Sequence, residues 1–202
     1  YYSSTEGNKL LNYKKKALDV GIQNASFNNL LFTDVDCLIP STWVSTMSNY
    51  FSSGYDYLIG PSIVNNKNRV NNISRFQRID LLLLMIICRA SAYFGHTLAS
   101  SGQNQGFTKE LYIKVGGFIK VNSFIGDDTV FLQYCTQMGA KSNFVNSTLA
   151  IICSRKELKI TNFILQRIRW VSDANKLWKL NPIFFSILFF IDQFDPPLSP
   201  MG

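Results

Sequence analysis

One run of residues limits the fold more than any other. From Lys9 to about Ala25, residues Leu10, Leu11, Lys14, Leu18 and Ile22 recur at three-to-four spacing, which predicts a helix. Residues 24–29 are turn-rich. Leu30, Leu31 and Phe32 then form a short apolar strand that runs straight into Thr33, Asp34 and Asp36. Helix, turn, buried strand and then polar residues is the order found in an open α/β sheet. In such sheets ligands collect beyond the carboxyl ends of the strands, where Asp34 and Asp36 fall.

The rest of the chain extends this pattern. Pro40 and Ser41 open a predicted helix through Trp43, Met47 and Tyr50. Residues 57–59 read as a strand closed by Gly60-Pro61, and the Asn-rich stretch 64–72 as a loop. A helix is predicted over residues 73–94. Its unbroken apolar run, 81–88, is eight residues long and falls short of the roughly 20 that span a bilayer. Residues 102–106 read as a flexible turn and 109–115 as a short helix closed by Gly116-Gly117. A further helix follows Gly126 and ends at Gly139. Residues 144–152 read as one strand and 160–180 as a helix that Pro182 breaks. The apolar run 183–191 follows.

With 202 residues, 47% of them apolar, the chain is long enough to bury one sizeable core and is not disordered. The net charge of +7 is concentrated. Residues 153–180 hold seven Lys or Arg against Glu157 and Asp173, a local +5 (7 − 2). A local excess suits bound phosphate or an anionic lipid surface and argues against a nucleic-acid partner. Cys37, Cys88, Cys135 and Cys153 lack metal-ligand spacing and are expected to be reduced, which favours a cytoplasmic setting. His96, the one histidine, reads as structural.

Three groups of residues carry candidate chemistry. In extended backbone the carboxylates of Asp34 and Asp36 face one side and could bind Mg²⁺ or Mn²⁺. The alternative is an ordinary turn after a strand. Asp127 and Asp128 stand at a helix start, where a cap plus first-turn charge competes with a catalytic pair. Gln166, Arg169 and Trp170 share one helix face at i, i+3, i+4 spacing, with Arg167 and Ile168 pointing elsewhere. That stripe either binds diphosphate and sugar or is a solvated basic face with one anchoring Trp.

Taken in order, KKKALDVGI, LLFTDVDC, SGQNQGF, KVGGF, IGDDT and QRIRW resemble family 2 inverting glycosyltransferases of the GT-A fold over about residues 9–180. QRIRW fits the QxxRW signature of the membrane-associated branch that includes cellulose, hyaluronan and poly-N-acetylglucosamine synthases. The resemblance implies a Rossmann-like α/β GT-A domain at 1–180 and an apolar interfacial or truncated membrane-proximal segment at 181–202. It implies that the N-terminal nucleotide-binding βαβ unit lies outside these residues, so that the isolated chain is inactive and carries an unpaired sheet edge.

Residue by residue, the resemblance implies Asp128 as general base, and Asp36 with Asp34 at the metal. It puts Lys14, Asp34, Gln166, Arg169 and Trp170 at the donor diphosphate. It puts Gly102, Asn104, Asp127 and Trp170 near the acceptor. The match departs at Asp19, where the family usually has Asn. The partners implied are a nucleotide-sugar, a glycan or lipid-linked acceptor, and the cytoplasmic face of the cell membrane. The competing classes are an inactive relative that keeps the motifs as a binding module, and an unrelated metal-dependent phosphotransferase or nuclease.

Overall fold

The computed structural model describes residues 11, 13–65, 71–121, 127–157, 159–171 and 179. In chain order the elements are α1 (Tyr13–Asn24), β1 (Asn29–Phe32), α2 (Trp43–Ser52), β2 (Tyr57–Ile59), β3 (Ser62–Val64) and α3 (Asn72–Tyr93). There follow β4 (Gln105–Thr108), α4 (Lys109–Val115), α5 (Gly117–Val121), α6 (Asp127–Gln137), β5 (Ser142–Phe144), a 3₁₀ turn (Thr148–Ala150), β6 (Ile152–Ser154) and α7 (Ile160–Val171).

Four strands form a mixed sheet in the order β1-β4-β2-β5. β4 runs antiparallel to both β1 and β2, while β2 and β5 are parallel. β3 and β6 make a separate parallel pair. Tyr57, Leu58 and Ile59 of β2 are all fully buried, because helices cover both sheet faces. Strand residues alternate in direction. Tyr57 and Ile59 therefore join Phe107, Leu111, Tyr112, Phe118 and Phe131 on one face, and Leu58 joins Trp43, Met47, Phe51 and Val145 on the other. Phe107 and Phe131 centre an aromatic cluster, their rings tilted against each other with centroids 4.9 Å apart.

Local chemistry explains the element ends. Asn71 and Ser74 form a reciprocal capping box that starts α3. Thr108 caps α4, and Gly116 ends it in the left-handed conformation, φ +90°. Lys109 Nζ donates to Gln23 O and Ala25 O at 2.8 and 2.9 Å, tying α4 to the carbonyl end of α1.

The sequence reading needs three corrections here. Residues 105–108, half of them within the turn expected at 102–106, form the central antiparallel strand β4. Gly106 is there because β1 and β4 approach closely: a Cβ on it would lie 2.7 Å from Leu31 Cδ2 and 3.0 Å from Leu30 O. The single strand expected at 144–152 is two, β5 and β6, in different sheets with the 3₁₀ turn between them. Gly117 continues into α5 and does not simply close α4. The expected loop at 64–72 falls mostly outside the described residues, as do residues 180–202. Among the described residues β1 pairs with β4 alone. A groove of about 430 Å³ lies between α1 and β1, lined by Leu18, Ile22, Phe27, Leu30 and Phe32 among others.

Candidate functional site

β1 delivers Asp34 to the sheet's carboxyl edge, but the backbone there is not extended. Cys37 N–H donates to Asp34 O at 3.1 Å, and residues 35–36 form a turn. The next residue, Leu38, pairs with Cys153 in both directions, at 2.8 and 3.0 Å. The expectation that extended backbone aligns the two carboxylates is therefore corrected: the chain leaves the sheet after Phe32 and turns at residues 35–36 before it pairs with Cys153. Both carboxylates still stand near Cys37. Burial pushes the Cys37 thiol up, and the charges of Asp34 and then Asp36 push it further.

Lys14 reaches across from α1, with Nζ 3.6 Å from Asp34 Oδ1. The side chains are 65% and 38% exposed, so the pair contributes little to stability and can exchange partners readily. Among the described residues no three His, Cys, Asp or Glu side chains converge as a complete metal cage. Two hard oxygen donors on one exposed turn do fit Mg²⁺ or Mn²⁺ held by one or two carboxylates, with water and phosphate completing the shell.

Asp128 occupies the first turn of α6. Its Oδ2 accepts a short hydrogen bond from Gly102 N–H, and its Oδ1 accepts from its neighbour Thr129 N–H at 3.0 Å. Burial raises the Asp128 carboxyl above the ordinary aspartate range. The Gly102 and Thr129 amides and the Lys14 charge oppose that rise. A carboxylate held by two amides yet destabilised by burial is oriented and ready to take a proton. Lys14 thus faces both acids, and the structure gathers Lys14, Asp34, Gly102 and Asp128 at one end of the sheet.

Asn104 belongs elsewhere. Its side chain is fully buried. Its Oδ1 accepts from Trp43 Nε1 at 2.9 Å, and its Nδ2 donates to Pro61 O and Ala150 O at 2.8 and 2.9 Å. Both N–H groups of that amide and one lone pair of its oxygen are engaged inside the protein, so in this structure Asn104 serves as a structural bracket. The departure at Asp19 is also structural, since Tyr112 OH donates to Asp19 Oδ1 at 2.6 Å. Gln166, Arg169 and Trp170 lie in α7, so the helix that their spacing requires is present. Their side chains, and that of Asp127, lie outside the described residues.

The sequence reading missed the support beneath Asp128. Tyr57 OH donates to Gln105 Oε1 at 2.6 Å, and Ser100 Oγ donates to the same oxygen at 3.0 Å. Thr129 and Gln133 grip the loop that carries Gly102. Only the position of Thr129, directly after Asp128, could have hinted at this.

Residues 30–195 match a family model described as glycosyl transferase family group 2. The comparison with curated proteins gives no match. The layered α/β architecture with its mixed sheet fits the GT-A fold.

Proposed function

The chain belongs to glycosyl transferase family group 2, and from that premise we propose an inverting transfer of a sugar from a nucleoside-diphosphate donor to an acceptor hydroxyl, with Asp128 as general base. The observation that carries this reading is the Asp128 carboxylate, fixed by the Gly102 and Thr129 amides and raised by burial. The acceptor oxygen attacks the anomeric carbon as its proton passes to Asp128. The bond to the diphosphate breaks on the opposite face. One displacement with one base inverts the configuration. Bound at Asp34 and Asp36, Mg²⁺ or Mn²⁺ would supply neutralisation of the leaving diphosphate. Lys14, and Arg169 of the Gln166–Trp170 stripe, add positive charge. The inactive binding module is the alternative class.

A nucleotide-sugar panel scored by release of nucleoside diphosphate tests the reading, with the 202 residues assayed alone and within any longer chain that carries them. Metal-dependent release that rises with acceptor supports transfer. Donor binding without release in every form favours the binding module. Asp36→Asn is expected to raise the Mg²⁺ needed for half-maximal release by about tenfold or more, equivalent to roughly 1.4 kcal/mol. Asp34→Asn is expected to do less, because Lys14 already shares that carboxylate. Identical Mg²⁺ titrations for parent and both variants would remove the metal from this turn. Arg169→Ala is expected to reduce release far more than Arg167→Ala, since only Arg169 shares the Gln166–Trp170 stripe. Equal losses would mean that only net charge matters.

The acceptor is a glycan or a lipid-linked sugar, and the working place is the cytoplasmic face of a membrane. Support comes from α3 and α7, which meet through an edge-on contact between Phe76 and Phe163. Their outer surfaces expose Ile79, Leu82, Leu83 and Ile86 on α3, and Ile164 and Ile168 on α7. α3 also buries Leu81, Met85 and Cys88 beneath, so it is apolar on two opposite faces, the pattern of a helix covered on both sides. Exposed Arg75, Arg78 and Arg89 flank the outer face on α3, and that charge selects an anionic bilayer as the cover. No helix among the described residues is long and apolar enough to cross a membrane. Leu83→Glu with Ile86→Glu is expected to cut binding to anionic vesicles by about tenfold or more, given roughly 1.5–3 kcal/mol per buried apolar side chain. Unchanged vesicle binding, or concentration-dependent dimers that the double variant dissolves, would assign the face to another partner.

A further inference from the structure

The loop between α3 and β4 has no helix or strand to hold it from residue 96 to residue 104. Yet it must place one backbone N–H, that of Gly102, on one carboxylate oxygen of Asp128. The fastening comes from α6. Thr129 Oγ1 donates to Ser100 O at 3.0 Å and accepts from Ser100 N–H at 3.2 Å. One hydroxyl thus takes both main-chain groups of one residue, as a neighbouring strand would. A helical turn further on, Gln133 Nε2 donates to Leu98 O at 2.8 Å and Thr97 O at 3.1 Å. The loop is stitched to the helix that carries the carboxylate, two residues before the amide that meets it.

We propose that Thr129 is a positioning residue: its hydroxyl locks Ser100 in register on α6 and so aims Gly102 N–H at the carboxylate of Asp128. This rests on the reading of Asp128 as the base. Glycine at 102 belongs to the same device, since a Cβ there would sit 3.3 Å from Asp128 Oδ2. The other titratable groups facing Asp128 are Lys14 on α1, Tyr57 on β2 and Cys88 on α3. None of them is bonded to the Thr129 hydroxyl. The Thr129 N–H, which donates to Asp128 Oδ1 directly, is kept by every substitution below, so loss of the hydroxyl acts through Ser100 and the Gly102 contact.

The test compares Thr129→Val, which keeps the shape and removes the hydroxyl, with Thr129→Ser, which keeps the hydroxyl. Amide exchange and the pH titration of the Gly102 resonance are followed in the full chain without donor. In Thr129→Val, Gly102 exchange is expected to quicken by about tenfold, as for loss of local hydrogen bonding. The pH midpoint sensed at Gly102 is expected to rise, because an amide that favours the ionised form is loosened. Thr129→Ser is expected to restore both. Where transfer is measurable, kcat is expected to fall in Thr129→Val with donor KM unchanged. Unchanged Gly102 behaviour in Thr129→Val would overturn the proposal. So would equal quickening throughout α6, or failure of serine to rescue, since either marks a packing role. If Gly102 responds as expected while Asp128→Asn leaves transfer intact, the clip stands and the base assignment falls.

Discussion

Asp128→Asn is expected to lower turnover by a factor of about 10²–10⁴, the usual cost of losing general-base catalysis, while donor affinity stays within a few-fold. The amide nearly matches the carboxylate in shape but cannot take the proton. It also offers one acceptor where Gly102 and Thr129 present two N–H groups, so one amide loses its partner. The pH profile is a second signature. Burial holds the Asp128 carboxyl above the ordinary aspartate range, which is near 3.9. The base works only when ionised, so transfer should rise with pH through a midpoint above that value, and the limb should vanish in the variant. Stability runs the other way. A raised folded pKa gives a contribution that is full below the unfolded value and lost as pH rises through the folded one. Donor binding that collapses while turnover survives would reassign Asp128 to holding structure or metal.

Local patterns predicted local structure well. Tyr57–Ile59 was legible because three apolar residues precede Gly60-Pro61. α4 was legible because Gly116-Gly117 marks its end; its cap, Thr108, emerges only in the structure. β4 was not, because its four residues include Gly106 and follow a stretch that looks like a turn. Its strand character comes from antiparallel partners on both sides, set by Asn29–Phe32 and Tyr57–Ile59. No periodicity within residues 105–108 encodes that. β5 and β6 merged in the sequence for the opposite reason: apolar residues on both sides of Asn146-Ser147-Thr148 hide a 3₁₀ turn that moves the chain between two sheets.

The site divides along the same line. Asp34 at the end of β1 and Asp128 at the start of α6 follow from element boundaries. Their roles follow from the resemblance of the motifs taken in order. The contact between Gly102 and Asp128 joins residues remote in sequence, and the resemblance suggested only that Asp128 is the base and that Gly102 stands near the acceptor. The conformation of the Asp34–Asp36 turn was not legible, because the pairing of Leu38 with Cys153 decides where the backbone turns. Thr129 and Gln133 were invisible as functional residues. Polar helix residues ordinarily face water or cap their own helix, and here they meet the backbone of a loop.

Asn104→Ala is expected to reduce folding stability by about 3–5 kcal/mol, a substantial part of the roughly 5–15 kcal/mol of an ordinary domain. The truncation removes three hydrogen bonds and leaves the Trp43 indole N–H and the Ala150 carbonyl without this partner, while the Pro61 carbonyl keeps the Ile152 N–H. Each buried group left unpaired costs about 1–3 kcal/mol. The bracket joins α2, the turn between β2 and β3, and the 3₁₀ turn before β6, so its loss loosens the whole carboxyl edge of the sheet. Gly60 provides an internal control. A Cβ there would overlap the Asn104 amide, so Gly60→Ala should break the bracket from the other side. Because Asn104→Ala removes the atoms that collide, the double variant should lose less than the sum of the single losses. Urea midpoints at constant m-value measure all three. An Asn104→Ala protein with an unchanged midpoint but a raised KM for acceptor would return this residue to the acceptor site and remove it from the bracket.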